Sequence, residues 1–214
     1  MVAQLIGVAG FAASSFGVAF SGALMPGPLL VATMDLSLRH GARSGPLLVL
    51  GHGLLELGLV IMLAAGLGPI ISHQAVVAAV ALAGAGLLWW MAVGMARAEG
   101  LGTLSGAKLQ GRLHPFWAGI VLSLFNPYWA VWWATIGLGY IVASRRFGAV
   151  GLAAFFCAHI CADLLWYTLV SAAVARGKKT LLSARSFRRL ARGCATLLAA
   201  SGGFFAYTGA RLLL

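Results

Sequence analysis

The sequence predicts an all-α polytopic membrane protein, with six transmembrane helices arranged as two inverted three-helix repeats whose first and fourth helices are broken by proline. Three observations carry that prediction. Hydrophobic residues make up 61% of the 214-residue chain and charged residues only 9%, more apolar than one soluble core requires. Apolar stretches near the roughly 20 residues that cross the hydrocarbon layer as a helix recur along the chain. Basic residues gather in alternate connections between those stretches.

The stretches run from Phe11 to Met34, Gly45 to Leu67, Ala75 to Ala96, Pro115 to Val142, Gly148 to Ala175 and Gly193 to Leu213. They are read as helices because lipid leaves a broken backbone unsatisfied, and no alternating strand pattern suggests a barrel. The first stretch lacks the positive flank of a signal peptide and runs into Pro26, so it is expected to be retained as a span. Pro26-Gly27-Pro28 interrupts it, as Asn126-Pro127 interrupts the fourth. Each proline removes a backbone donor and crowds the carbonyl four residues back, here Gly22, Leu24 and Ser123. Either break alone is a common proline kink. As a corresponding pair they point to a transporter's substrate site, where irregular backbone faces protein or a wet cavity.

The second and fifth stretches carry the internal repeat. Gly41 matches Gly148, His52 matches His159 and Glu56 matches Asp163, all at a separation of 107, with Ala42 and Ala149 also in agreement. Paired His-x-x-x-acid motifs are informative in a chain with five His and four acidic residues. The repeat divides the chain into residues 1–97, a first three-helix repeat; 98–114, a cytoplasmic linker; and 115–214, a second repeat, all in one membrane domain. An odd number of spans per repeat makes the copies enter the membrane from opposite sides.

In the third and sixth stretches, Gly84, Gly86, Gly202 and Gly203 suggest close helix approach rather than a phosphate loop. Trp89, Trp90, Trp129, Trp132, Trp133 and Trp166 are read as interfacial anchors or helix packing, without chemistry of their own. Cys157, Cys161 and Cys194 have no metal or disulfide spacing and are read as packing residues.

The net charge of +11 does not indicate nucleic acid, because the basic residues lie between spans. All but three of the fifteen fall in the first, third and fifth connections, the exceptions being Arg145, Arg146 and Arg211. The positive-inside bias therefore predicts a multi-pass protein of the inner or plasma membrane with both termini non-cytoplasmic. The cluster from Arg176 to Arg192 is expected to meet anionic lipid.

A carboxylate at the middle of a span costs about 2.5–3.5 kcal/mol on insertion scales, so Glu56 and Asp163 call for a reason. Spacing at i, i+4 puts His52 and Glu56 on one helical face, and His159 and Asp163 on another. If the two helices meet, the four side chains suit a proton path or a divalent transition-metal ion, or they serve as interhelical hydrogen bonds. The expected pathway comprises Pro26, Gly27, Pro28, His52, Glu56, Asn126, Pro127, His159 and Asp163, with the two His-acid pairs as the metal candidates. No catalytic residues and no resident cofactor are expected, a divalent metal entering only as substrate.

These residues resemble the LysE (lysine exporter) family of small-solute exporters over nearly the whole chain. The resemblance rests on Pro26-Gly27-Pro28, Gly41, Gly45, Gly51 and Glu56, the stretch Gly84 to Arg97, and Phe116, Gly119, Asn126 and Pro127. It implies six spans, export and coupling to the proton gradient. Tyr128 stands where the family often has lysine, His52 and His159 where apolar residues are common, and Leu55 replaces a glycine. The function expected is secondary active export of amino acids or related metabolites by proton-coupled alternating access. The alternatives are export of a divalent transition-metal cation through the His52/Glu56 and His159/Asp163 pairs and, third, an intramembrane zinc hydrolase. A homo-oligomer is compatible with all three.

Overall fold

The structure is a computed structural model and describes residues 2–25, 27–67, 73–97, 113–177 and 184–213. It is all-helical among those residues. In chain order the helices are α1 (Val2–Ala23), α2 (Pro28–His40), α3 (Ser44–Met62), α4 (Gln74–Ala96), α5 (Pro115–Leu124), α6 (Pro127–Trp132), α7 (Leu138–Ser144), α8 (Gly148–Arg176) and α9 (Ala184–Arg211). A π-helical turn, Leu63–Leu67, extends α3, and another, Trp133–Gly137, joins α6 to α7.

Gln4–Ala23, Ser44–Gly66, Gln74–Ala96 and Tyr128–Arg176 are long and apolar enough to cross a membrane. The last of these, 49 residues long, reverses at the Arg145–Phe147 turn, where Gly148 takes φ 62°. Gly41 takes φ 83° at the α2–α3 turn, so the matched glycines sit at matched left-handed corners that side chains rarely occupy.

The helix faces are inverted relative to a water-soluble protein. Leu50, Leu54, Leu57 and Ile61 of α3 and Leu164, Leu165 and Leu169 of α8 are exposed, while His52, Glu56, His159 and Asp163 of the same helices are buried. Polar inside and apolar outside is the arrangement lipid selects, and the chain is a membrane protein.

Helix α3 runs beside α5, its π-helical extension touches α7, α1 runs beside α8, and α4 pairs with α9. Close backbone approach fixes the first of these contacts. A Cβ on Gly51 would collide with the Phe116 carbonyl, and one on Gly119 with the Leu48 carbonyl. Helices α3 and α8 cross antiparallel: Gly45 meets Tyr167 and Ser171 near one end, and Gly53 meets Ile160 closer to the middle. Two apolar clusters flank that crossing. One contains Leu36, Leu48, Val49, Leu122 and Tyr167, and the other contains Leu59, Val60, Trp133, Ile141 and Phe155. Along both α3 and α8 the His-x-x-x-acid pair lies between them.

Several boundaries differ from the sequence-based expectation. The first helical segment begins at Val2 rather than Phe11, and its second part continues to His40 rather than Met34. Nothing in the apolar N-terminal residues stops a helix, and the Gly41 corner is the first effective stop on the far side. Helix α9 starts at Ala184 instead of Gly193, because the basic segment continues helically into the apolar one. Cys157 and Cys161 are exposed on the outer face of α8, not packed, since i, i+4 spacing places them together on a face turned from His159 and Asp163. Gly202 packs on Trp89 and the Ala85 carbonyl as expected for close approach, but Gly86 and Gly203 face open space. The side chain of Cys194 lies outside what is described.

Candidate functional site

The two chain breaks are built alike. Gly27 precedes Pro28 at the first position of α2, and Asn126 precedes Pro127 at the first position of α6, positions where the missing proline N–H costs no helical hydrogen bond. Asn126 Oδ1 accepts from Tyr128 N at 3.1 Å, capping α6. Pro26 and the ring of Pro127 lie outside the described residues. Of the carbonyls expected to be freed, Gly22 accepts from Met25 N at 3.1 Å and Ser123 from Asn126 N at 3.0 Å, so tight turns satisfy both. The breaks adjoin, since a Cβ on Gly27 would lie 3.6 Å from Asn126 Nδ2. Tyr128 Oη donates to Ser21 O at 2.8 Å, and Trp132 Nε1 to Ser21 Oγ at 3.0 Å, tying α6 to the end of α1.

Beside the breaks is a cavity of about 40 Å³ whose lining includes His52, Glu56, Asn126, His159 and Asp163. Gly27 and Pro28 are not part of that lining and flank it through the break. The four titratable side chains converge at the α3–α8 crossing. His52 Nε2 lies 3.1 Å from Glu56 Oε1 and 3.7 Å from Asp163 Oδ2, and His159 Nε2 lies 3.2 Å from Glu56 Oε2 and 3.3 Å from Asp163 Oδ2. Each imidazole thus meets the carboxylate on its own helix and the one on the other helix. All four residues are buried.

Neighbouring groups fix how these side chains point. Ser123 Oγ donates to Gly119 O at 2.6 Å, which commits its only proton, so at 2.7 Å it accepts from His52 Nδ1. Nε2 of His52 is thereby aimed at the carboxylates. Trp129 Nε1 and Trp133 Nε1 both donate to Glu56 Oε1, at 2.9 and 2.8 Å. His159 is enclosed by the rings of Trp132, Trp133 and Phe155. Glu56 Oε2, Asp163 Oδ2 and His159 Nδ1 are buried without a hydrogen-bond partner, His159 Nε2 being close to both oxygens but not aligned with either.

The tryptophan reading needs correction here. Trp129 and Trp133 are not merely anchors or packing groups but hold the carboxylate, and i, i+4 spacing directly after the Asn-Pro break was the available signal. Trp89 does serve packing, donating to Ala199 O at 3.1 Å. Asp35 is a further buried acid that sequence reasoning left aside; Arg39 holds it at 3.0 Å within α2, away from the cavity.

Paired helix breaks around a buried ionisable cluster suit a translocator, and the family comparison decides the question: the profile described as LysE type translocator matches residues 20–209. The chain belongs to the LysE type translocator family. The match covers both breaks and all four cluster residues. Neither the curated proteins nor the solved structures contain a match. Membership in this LysE family implies export of small solutes and a transporter rather than an enzyme.

Proposed function

We propose that this LysE family chain is a secondary active exporter in which the buried His52, Glu56, His159 and Asp163 cluster couples solute movement to protons. The observation that carries the reading is the mutual pairing of the two His-x-x-x-acid motifs across the α3–α8 crossing, next to two adjoining helix breaks. Under this reading residues 1–97 and 115–214 are inverted repeats of three spans each, joined by a cytoplasmic linker at 98–114. The pairing of position 52 with 163, and of 159 with 56, is what a twofold axis in the membrane plane would generate.

Alternating access follows from the same arrangement. The breaks frame the cavity from one side and the α3–α8 crossing closes it from the other, so rocking one repeat against the other exposes the cluster to each face in turn. A cavity of about 40 Å³ is small beside the roughly 300–1,000 Å³ of ligand clefts, so this form has no room for a metabolite-sized solute. Amino acids and related metabolites are the class suggested by the family resemblance, and they would enter once the breaks part. The cleft lined by His40, Arg43 and His114 lies at the opposite end from Arg145, in keeping with a cytoplasmic face there and non-cytoplasmic termini. The basic segment up to Arg192 would rest on anionic lipid at that face.

A transport screen in proteoliposomes, comparing amino acids with divalent cations under an imposed pH gradient, tests the reading. Gradient-dependent accumulation of one class is expected. Transport indifferent to the gradient, or none in either class, would contradict it.

A further inference from the structure

The cluster has the form of a coordination shell, which, within the exporter reading on which this rests, replaces the amino-acid class suggested by the family resemblance. We infer that His52 Nε2, His159 Nε2, Glu56 Oε2 and Asp163 Oδ2 bind one divalent first-row transition-metal ion, and that such an ion is the exported solute.

Geometry is the first argument. Tetrahedral ligands at about 2.0–2.1 Å from an ion stand roughly 3.3 Å apart. His159 Nε2 lies 3.2 Å from Glu56 Oε2 and 3.3 Å from Asp163 Oδ2, and His52 Nε2 lies 3.7 Å from Asp163 Oδ2. Ligand atoms from His52, Glu56 and Asp163 fall within 4.8 Å of one another. His52, Glu56 and Asp163 thus form a compact group near the required size, and His159, which lies outside that group, joins it through its short approaches to both carboxylates.

The second argument is the vacancy in the hydrogen bonding. Glu56 Oε2 and Asp163 Oδ2 are buried and unpartnered, whereas Glu56 Oε1 already receives two indole protons. Indoles cannot accept, so Trp129 and Trp133 orient the carboxylate and leave its other oxygen free. Ser123 does the same for His52 by accepting the Nδ1–H hydrogen bond, which leaves the Nε2 lone pair facing inward, the usual support of a metal-bound imidazole. Two carboxylates balance a dication, which matters where an uncompensated charge is costly.

The donor set decides which ion. Two imidazoles with two carboxylates suit zinc, manganese, iron or nickel, whereas magnesium prefers octahedral oxygen. A cavity of about 40 Å³ accommodates an ion and a water or two, and no metabolite has to be fitted beside the cluster.

Purified full-length protein in detergent, titrated with Zn²⁺ by calorimetry and with Co²⁺ by absorption, tests the inference. One ion per chain is expected, with the intense visible bands of a tetrahedral cobalt site. His52→Ala, His159→Ala, Glu56→Gln and Asp163→Asn should each weaken Zn²⁺ about 100-fold or more. Ser123→Ala, which removes only support, should cost roughly 10- to 100-fold, and Asp35→Asn should change nothing. Wild-type cobalt spectra keep the test decisive if a ligand variant misfolds. Absence of saturable binding by the wild type, or binding unaffected in folded ligand variants, would overturn the site. Counterflow in proteoliposomes separates the two readings. Amino-acid exchange without metal binding overturns this inference and leaves the exporter standing, and metal that binds but never crosses overturns its role as solute.

Discussion

At the residue scale, Glu56 shows how much of a site depends on what surrounds a titratable group. Its carboxyl group is accommodated in the membrane interior by Trp129 and Trp133, which donate to one oxygen, and by imidazoles that face both. Trp133→Phe removes one of those donors while keeping the aromatic volume. A hydrogen bond to a charged group contributes about 1.5–3 kcal/mol, so the variant should unfold at lower temperature in detergent and lose much of its gradient-driven transport. An unchanged melting temperature would mean that the indole bond carries no weight. The His-x-x-x-acid pairs were legible in the sequence because ionisable residues are scarce in apolar helices. The indole donors were less so, because most membrane tryptophans sit at the interface, and the i, i+4 spacing of Trp129 and Trp133 gives them a shared face without naming its partner. Ser123 was hidden for a related reason: its role depends on His52, a partner 71 positions away, and only tertiary contact supplies it.

At the element scale, the breaks and the glycine contacts position the site. Pro127→Ala restores a backbone donor and favours a continuous α5–α6 helix, which would move Asn126 from its cap and draw Trp129 and Trp133 out of line with Glu56. Transport should fall much further than membrane insertion, measured as yield of folded protein in the membrane fraction. Normal transport kinetics in Pro127→Ala would reduce the break to a kink. Gly119→Val tests the α3–α5 contact, because its side chain would collide with the Leu48 carbonyl and separate the two helices. Overpacking of this kind costs about 1–3 kcal/mol, and a lowered thermal midpoint in detergent is the expected result. Element existence was legible from apolar length and from the prolines. The ends were not, because composition does not say where a helix stops: the Gly41 corner and the basic start of α9 moved two of them.

At the scale of the whole molecule, charge distribution predicts orientation. Single cysteines placed after Arg43, near Lys108 and near Lys179 should resist an impermeant reagent applied outside the cell, in a background where Cys157, Cys161 and Cys194 are replaced. Strong external labelling at all three would reverse the topology. The antiparallel crossing of α3 and α8 brings the matched motifs face to face, with each histidine beside the other helix's acid, the arrangement the proposed inverted repeat would produce. The meeting of the two breaks at Gly27 and Asn126 had no local signature, because it depends on how α1 leans on α8 and α5 on α3. Gradient-driven accumulation in proteoliposomes reads out whether the α3–α8 crossing is the transport site. Glu56→Gln and Asp163→Asn proteins that elute as folded, monodisperse material should each lose accumulation of the solute that the wild type carries. Wild-type accumulation in either folded variant would contradict the claim.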